Sequence, residues 1–466
     1  MLSRLLAPVA LAPVALALIA VACPVQAEER LLDIYQRALQ SDPRIREAEA
    51  IYQAELETRP QARAAMLPQI TGTASRSWSD AEGSQRFLNF NPIENELQTI
   101  ETAFEQDART TNWQIELRQT LFRWDQWINF RQSDKRIARA ETEFEAAKQD
   151  LMLRVSEAYF EVLAAQDTLG AAQATQRAIE RQLEQAQTRF EVGLIAITDV
   201  QEAQAAFDRS VADEIAAQRV LASAREALRE LTGEHVTRLA APRDELPLVP
   251  PSPASESAWV DTALAQNLEL VATRIASEIA SDDVRIRRTG HYPTLDLVAS
   301  RSDVTTRADR SNNGGPTTPF DSDSQSDSIS IQLRVPLFSG GGTSSQVREA
   351  VFRHRAAREA VDRVSRQTER QARDAYMGVV TEISRVRALE QAVTSSRTAL
   401  EATETGFEVG TRTTVDVLDA RRRLFDAETT YARSRYDYIV NVLRLKRSSG
   451  ILALQDLEEV DSWLER

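Results

Sequence analysis

From Phe144 onward the apolar positions recur at intervals of three and four: Phe144, Ala147, Leu151, Val155, Ala158, Val162, Ala165 and Leu169, then Ile179, Leu183, Ala186 and Phe190. That spacing marks one face of a continuous helix, and its alanines let a partner helix approach closely. The pattern predicts a helix from about Trp124 to Val192, on the order of 100 Å long at 1.5 Å per residue. A counterpart runs from about Ser345 to Val409. Gly193 and Gly410 stop these helices, because glycine readily adopts the left-handed conformation that closes one. Thr198-Asp199 and Thr414-Val415-Asp416 then open return helices reaching about Gly233 and Gly450. The chain should therefore fold two long helical hairpins, at about 124–233 and 345–450.

Four stretches switch to a period of two. Within 69–79, Ile70, Gly72, Ala74 and Trp78 alternate with Thr71, Thr73, Ser75 and Ser77. Within 112–121, Trp113, Ile115, Leu117 and Leu121 oppose Gln114, Glu116, Arg118 and Thr120. The stretches 294–302 and 328–337 place Leu295, Leu297, Ala299, Ile329, Ile331, Leu333 and Val335 on one side and polar residues on the other. One apolar and one polar face per strand is the alternation of a membrane β-barrel, although a half-buried soluble hairpin would look similar. Polar loops are expected between the paired strands, at Asp80–Thr111 and Asp303–Asp327. Phe122, Trp124, Trp127 and Phe338, at the opposite strand ends, fit either an interfacial aromatic belt or helix-to-sheet packing.

The two halves repeat each other. Phe190-Glu191-Val192-Gly193 returns as Phe407-Glu408-Val409-Gly410, an offset of 217 positions (407 − 190), and the same offset carries Asp199 to Asp416 and Gly233 to Gly450. Chance similarity would not stay in register so long, so the unit is duplicated. The organisation read from this is a signal peptide at 1–27, a first repeat at 28–233, a proline-rich linker at 234–255, a second repeat at 256–450, and a C-terminal segment at 451–466. Arg4, the apolar Leu5–Val21 run and Val25-Gln26-Ala27 carry the signal reading. Cys23, the single cysteine, precedes the cleavage site, with lipidation there as an alternative.

Composition narrows function further. The 466 residues carry a formal charge of −14, which disfavours nucleic acid as a partner. His235, His291 and His354 have no ligand spacing, and Gly340-Gly341-Gly342 lacks the lysine of a phosphate loop, so neither an enzyme nor a cofactor is expected. Gly340-Gly341-Gly342 instead suits a strand-to-helix corner. After the leader no apolar run reaches the roughly 20 residues of a membrane helix, so only strands could cross a bilayer. Four strands cannot close around water. Three copies would supply roughly twelve, enough for a polar bore.

The order strand, strand, long helix, tip and return helix, given twice, resembles the TolC family of outer-membrane exit ducts. Its most specific carriers are 190–201 and 410–420, and the likeness covers about Leu31 to Leu457. The resemblance implies a mainly helical homotrimer, a β-barrel in the outer membrane of a Gram-negative bacterium continued by an α-helical barrel in the periplasm. It implies docking through periplasmic adaptor proteins onto inner-membrane transporters of RND, ABC or MFS type, for drug efflux or type I protein secretion. It further implies a gate at the tip. Asp416 and Asp419 would form carboxylate rings open to cation block, with no intrinsic metal. Arg412, Asp199 and Thr198 would hold the entrance shut. Phe407 stands where the family has a tyrosine, so that hydroxyl is missing here. Gly193, Leu194, Gly410 and Thr411 would meet the adaptor. Without the resemblance, Asp416 reads as an ordinary first-turn helix residue. Two other functions remain in competition: a periplasmic coiled-coil scaffold without a channel, and a duct dedicated to metal efflux.

Overall fold

A computed structural model describes residues 28–93, 95–243 and 246–465; the leader expected over 1–27 lies outside them. The chain opens with α1 (Leu31–Ser41), α2 (Pro43–Leu56) and α3 (Thr58–Ala64), followed by β1 (Gln69–Asn91) and β2 (Glu96–Phe122). The first hairpin is α4 (Trp124–Glu191) and α5 (Ile197–Thr232). After the linker come α6 (Glu256–Gln266), α7 (Leu268–Arg288), β3 (Thr294–Asn312) and β4 (Thr318–Arg334). The second hairpin is α8 (Gly342–Glu408) and α9 (Thr414–Ser448), and α10 (Leu454–Ser462) closes the chain. No described helix is long and apolar enough to cross a membrane.

The duplication persists in detail. Asp42 caps α2 through Arg44 N–H, and Asn267, displaced by 225 positions (267 − 42), caps α7 through Leu270 N–H. The glycine ending each return helix lies against the corresponding corner, Gly233 beside Ser41 and Gly450 against Gln266 and Asn267. Each hairpin is thereby seated on its own repeat's helical corner.

The four strands form one antiparallel sheet in the order β1-β2-β3-β4. They run much further than the alternation suggests. β1 and β2 have 23 and 27 residues, about 75–90 Å at 3.3 Å per residue, and β3 and β4 have 19 and 17. The expected loops at 80–111 and 303–327 are thus mostly strand, with turns confined to 92–95 and 313–317. The physical reason is that no single face stays apolar there: the stretch is largely polar, and Phe87 paired with Ile100 and Phe90 paired with Leu97 fall on opposite faces, which erases the alternation while the backbone ladder continues. Cross-strand pairs sustain it: Arg86 with Glu101 at 3.2 Å, and Thr110 with Thr306 at 3.3 Å. Asn95 and Asn313 make the turns with φ of 55° and 51°. Asn313 Oδ1 also accepts from Ala103 N–H at 2.7 Å.

The stretches read as strands from sequence are the part with an apolar outer face, except that β4 ends at Arg334 and not at 337, because Pro336 has no N–H to give the ladder. Leu117 on β2 pairs with Ile70 on one side and Ala299 on the other, and Ala299 pairs with Ile329. Ile70, Ile115, Ile329 and Ile331 are exposed. The opposite face carries Thr71, Glu116, Ser300 and Ser328 in one row. From Trp113 to Phe122 the apolar band spans about 30 Å, close to the height of a membrane barrel's belt. It is staggered: apolar on β2 out to Trp113, it stops on β3 at Ala299, which pairs with Leu117. Such stagger is what strands tilted in a barrel require. Leu121 departs from the expected alternation, since the register shifts between Thr120 and Phe122 and Phe122 takes the outward place opposite Leu295.

The helices contain one further correction. α8 starts at Gly342, ahead of the expected Ser345, because Gly341, at φ 80°, supplies the N-cap and its carbonyl accepts from Ser345 N–H. The seam residues Leu151, Val155, Val162 and Ala165 are buried as predicted. They belong to the main core, where α4 and α9 meet α1, α10 and the linker. The proline-rich linker is packed rather than loose: Tyr159 O–H donates to Ala240 C=O at 2.7 Å, and Leu239 and Ala240 are buried.

Candidate functional site

The hairpin tips lie far along the helices from the sheet and share one construction. Gly193 and Gly410 sit at φ 77° and 83° with open space where a Cβ would be, so conformation alone calls for glycine. Leu194 N–H donates to Arg189 C=O at 2.9 Å, and Thr411 N–H donates to Gly406 C=O at 2.8 Å, the same bond moved by the repeat offset. Leu194, Val192 and Val409 are 72%, 65% and 71% exposed, unusual for apolar residues and suited to contact with another protein.

The return helices begin alike. Asp199 Oδ2 accepts from Ala196 N–H at 3.3 Å, and Asp416 Oδ2 accepts from Thr413 N–H and Thr413 O–H, both at 2.9 Å. Thr413 Oγ1 accepts in turn from Asp416 N–H, completing a reciprocal cap. The Thr413 N–H bond, then the hydroxyl bond, with a smaller pull from the Arg412 charge, hold the Asp416 carboxyl below the usual carboxylate range. Asp416 is therefore at once a helix cap and a carboxylate whose local bonds favour its charged form. Asp419, one turn on, lines a cleft of about 1110 Å³ between the two hairpins, with Arg422 and Asp426 on α9 facing Glu202, Arg209 and Asp213 on α5.

Among the described residues no side-chain bond joins Arg412 to Asp199 or Thr198 within the chain. Arg412 instead lays its stem across Gly406, where a Cβ would stand 2.8 Å from Arg412 Cγ. Phe407 has a different partner from the one a hydroxyl would give. The Arg189 guanidinium lies 4.6 Å from the centroid of its ring, tying the end of α4 to the end of α8. Further up, Arg421 on α9 pairs with Glu404 on α8, and Arg397 pairs with Glu428 at 2.9 Å.

Sequence reasoning missed Arg189, Gly406 and Thr413. Thr413-x-x-Asp416 was visible as a capping pattern. Arg189 acts across helices and Gly406 against the tip that follows its own helix, and their only trace is that the repeat offset carries Arg189 onto Gly406. Among the described residues no three metal-binding side chains converge.

Comparison with known proteins agrees with this construction. The family model described as Outer membrane efflux protein matches residues 34–234 and 259–451, one segment per repeat. The chain is 37% identical to outer membrane protein TolC of Vibrio cholerae over 439 residues, covering 94% of each protein. It is 32% identical to the alkaline protease secretion protein AprF of Pseudomonas aeruginosa, covering 92% of this chain and 86% of that one. Among solved structures, CusC superposes with a TM-score of 0.72 at 18% identity, covering 91% and 92%. The chain belongs to the outer membrane efflux protein family, outer-membrane channels of Gram-negative bacteria whose fold joins a β-barrel to a helical barrel.

Proposed function

We propose that three copies close into one continuous duct, a β-barrel of roughly twelve strands above a ring of roughly twelve helices. The observation that carries this is the sheet: an apolar outer face, a polar inner face, and β1 and β4 left as edges. In hydrocarbon each unpaired backbone group costs several kcal/mol, so the edges need neighbours, and further copies provide them. The duct serves as a passive exit path, without a catalytic step, for tripartite efflux and type I secretion. The secretion role draws on the likeness to AprF, itself a secretion protein. Energy and cargo choice come from an RND, ABC or MFS transporter of the inner membrane. A periplasmic adaptor links the two by gripping the exposed tips around Gly193, Leu194, Gly410 and Thr411.

The tips form the gate. Asp416 and Asp419 of three copies ring the entrance and attract cations, and crowding of like charges opposes the local bonds that keep Asp416 ionised. Arg412, unpaired with Asp199 and Thr198 inside its own chain, reaches those groups on a neighbouring copy when the entrance is shut. The cleft between the hairpins gives α9 room to swing outward on opening.

Single-channel recording in planar bilayers tests this reading. Arg412→Ser should raise conductance, and Asp416→Asn with Asp419→Asn should abolish block by divalent cations. A purified protein that stays monomeric by native mass spectrometry would overturn the shared duct, and a wild-type conductance in Arg412→Ser would overturn the lock.

A further inference from the structure

Directly below the sheet a cavity of about 330 Å³ opens between the start of α4 and the end of α7. Trp124, Trp127 and Tyr292 form its upper wall, each about half exposed. Arg131 and Lys135 line it from α4, and Arg285 and Arg288 from α7. A single carboxylate, Asp282, is set in the same wall and is already engaged, paired with Arg285 and, at 3.1 Å, with Lys135. Glu278 takes a further share of Lys135 from outside the lining, at 3.0 Å. Among the described residues the side chains of Arg131 and Arg288 have no hydrogen-bond acceptor and no ion pair. The cavity mouth thus presents two exposed guanidinium groups, neither ion-paired, beneath an aromatic roof.

Its position follows from the register. Phe122 stands opposite Leu295 in the outward, apolar row, and the Trp124 ring stacks on Phe122 at 6.5 Å. The aromatic roof therefore continues the membrane-facing surface, and the cationic groups lie one to two helical turns beyond its edge, where a bilayer places its head groups. α4 follows β2 and α7 precedes β3, the two central strands, and α4 packs against α7, with α2 and α3 also against α4 and α8 also against α7. The cavity sits mid-protomer, away from the edges that neighbouring copies would cover.

We infer that this cavity binds the phosphodiester head group of an anionic lipid in the periplasmic leaflet of the outer membrane. Arg131 and Arg288 take the phosphate oxygens, since guanidinium groups match phosphate geometry and shed water readily. Trp124, Trp127 and Tyr292 hold the glycerol and upper acyl region, the usual place of amphipathic rings. Asp282 keeps Lys135 and Arg285 drawn into the wall, so the two free arginines remain the recognition pair. A lipid seated there would brace the junction where strands hand over to helices. The inference rests on the outer-membrane location and not on the gate, so the two can fail separately.

Native mass spectrometry of the intact protein in non-ionic detergent tests it, with titrated phosphatidylglycerol and parallel titrations of phosphatidylcholine and inorganic phosphate. Phosphatidylglycerol should be retained at up to one molecule per chain and preferred over phosphatidylcholine. Arg131→Gln with Arg288→Gln should weaken retention roughly thirtyfold, about the combined contribution of two basic groups at a membrane surface. Arg131→Lys with Arg288→Lys should keep most of it, and Arg397→Gln, on the distant α8 face, should keep all of it. Unchanged retention in the glutamine variant would overturn the site, as would equal retention of phosphatidylcholine. Displacement by an equal concentration of inorganic phosphate would show a free-anion site and overturn the lipid assignment. Should the glutamine variant not assemble, the preference between the two lipids on the wild-type protein decides by itself.

Discussion

Arg189, near the end of α4, places its guanidinium carbon 4.6 Å from the centre of the Phe407 ring, near the end of α8. This contact ties the two hairpins of one chain together beside the tip, and it needs the ring but no hydroxyl. An exposed cation–π contact contributes about 0.5–1 kcal/mol, a two- to fivefold shift in a two-state equilibrium. We expect Arg189→Gln to increase open probability by about that factor in planar bilayers. Phe407→Tyr, which keeps the ring, should leave the closed state at least as populated as in the wild type. Identical recordings from Arg189→Gln and wild type would remove the contact from the gate.

The reciprocal cap at Thr413 and Asp416 carries a pH prediction. The folded carboxyl is held below its ordinary value, so the stabilisation it provides is complete above the unfolded pKa and is lost only as pH falls through the lower folded one. The start of α9 should stay protected throughout mildly acidic conditions. Hydrogen exchange of the 411–418 segment, corrected for the intrinsic effect of pH, checks this. Loss of protection at the ordinary carboxylate pKa would contradict it, and Asp416→Ala should lose protection at every pH.

Tyr436 donates to Asp167 Oδ2 at 2.6 Å in the half-buried wall between α9 and α4. Burial pushes the Asp167 carboxyl up, and the Tyr436 bond and the Arg435 charge pull it partly back. Asp167 is exposed enough for water to replace the lost donor, so Tyr436→Phe should cost about 0.5–1.5 kcal/mol at neutral pH. Because the folded pKa is raised, that cost should diminish as pH falls through it and the carboxyl becomes neutral. Thermal unfolding at two pH values measures the effect. Adding Asp167→Asn to Tyr436→Phe should remove its pH dependence.

Two glycines of similar backbone conformation should respond differently to alanine. At Gly450, φ 75°, a Cβ would stand 2.9 Å from Asn267 Cα and closer still to the Gln266 carbonyl. At Gly193, φ 77°, it would meet nothing within 4 Å. Gly193→Ala should cost only the left-handed penalty, roughly 1–2 kcal/mol. Gly450→Ala should cost clearly more, because rigid backbone would have to move where α9 seats on the α6–α7 corner. Comparable melting temperatures for the two variants would refute the close approach.

Much of this architecture is written in one-dimensional periodicity. A three-and-four spacing gives α4 and α8 to within a few residues, because a helix must turn one stripe toward its partner. The period-two stretches locate the membrane band, because lipid demands apolar side chains on every second residue. The repeat offset reveals the duplicated corners and tips. Where neither lipid nor a core imposes a pattern, the sequence is silent. The outer halves of the strands, where no face is kept apolar, are held by backbone ladders and pairs such as Arg86–Glu101, and these leave no periodic hydropathy signal. Tertiary structure alone decided that Arg189 meets Phe407, that Arg412 crosses Gly406, and that Arg131 and Arg288 converge beneath Trp124. Each of these joins residues from different turns or helices, and their meeting depends on how elements pack in space, which no local spacing encodes.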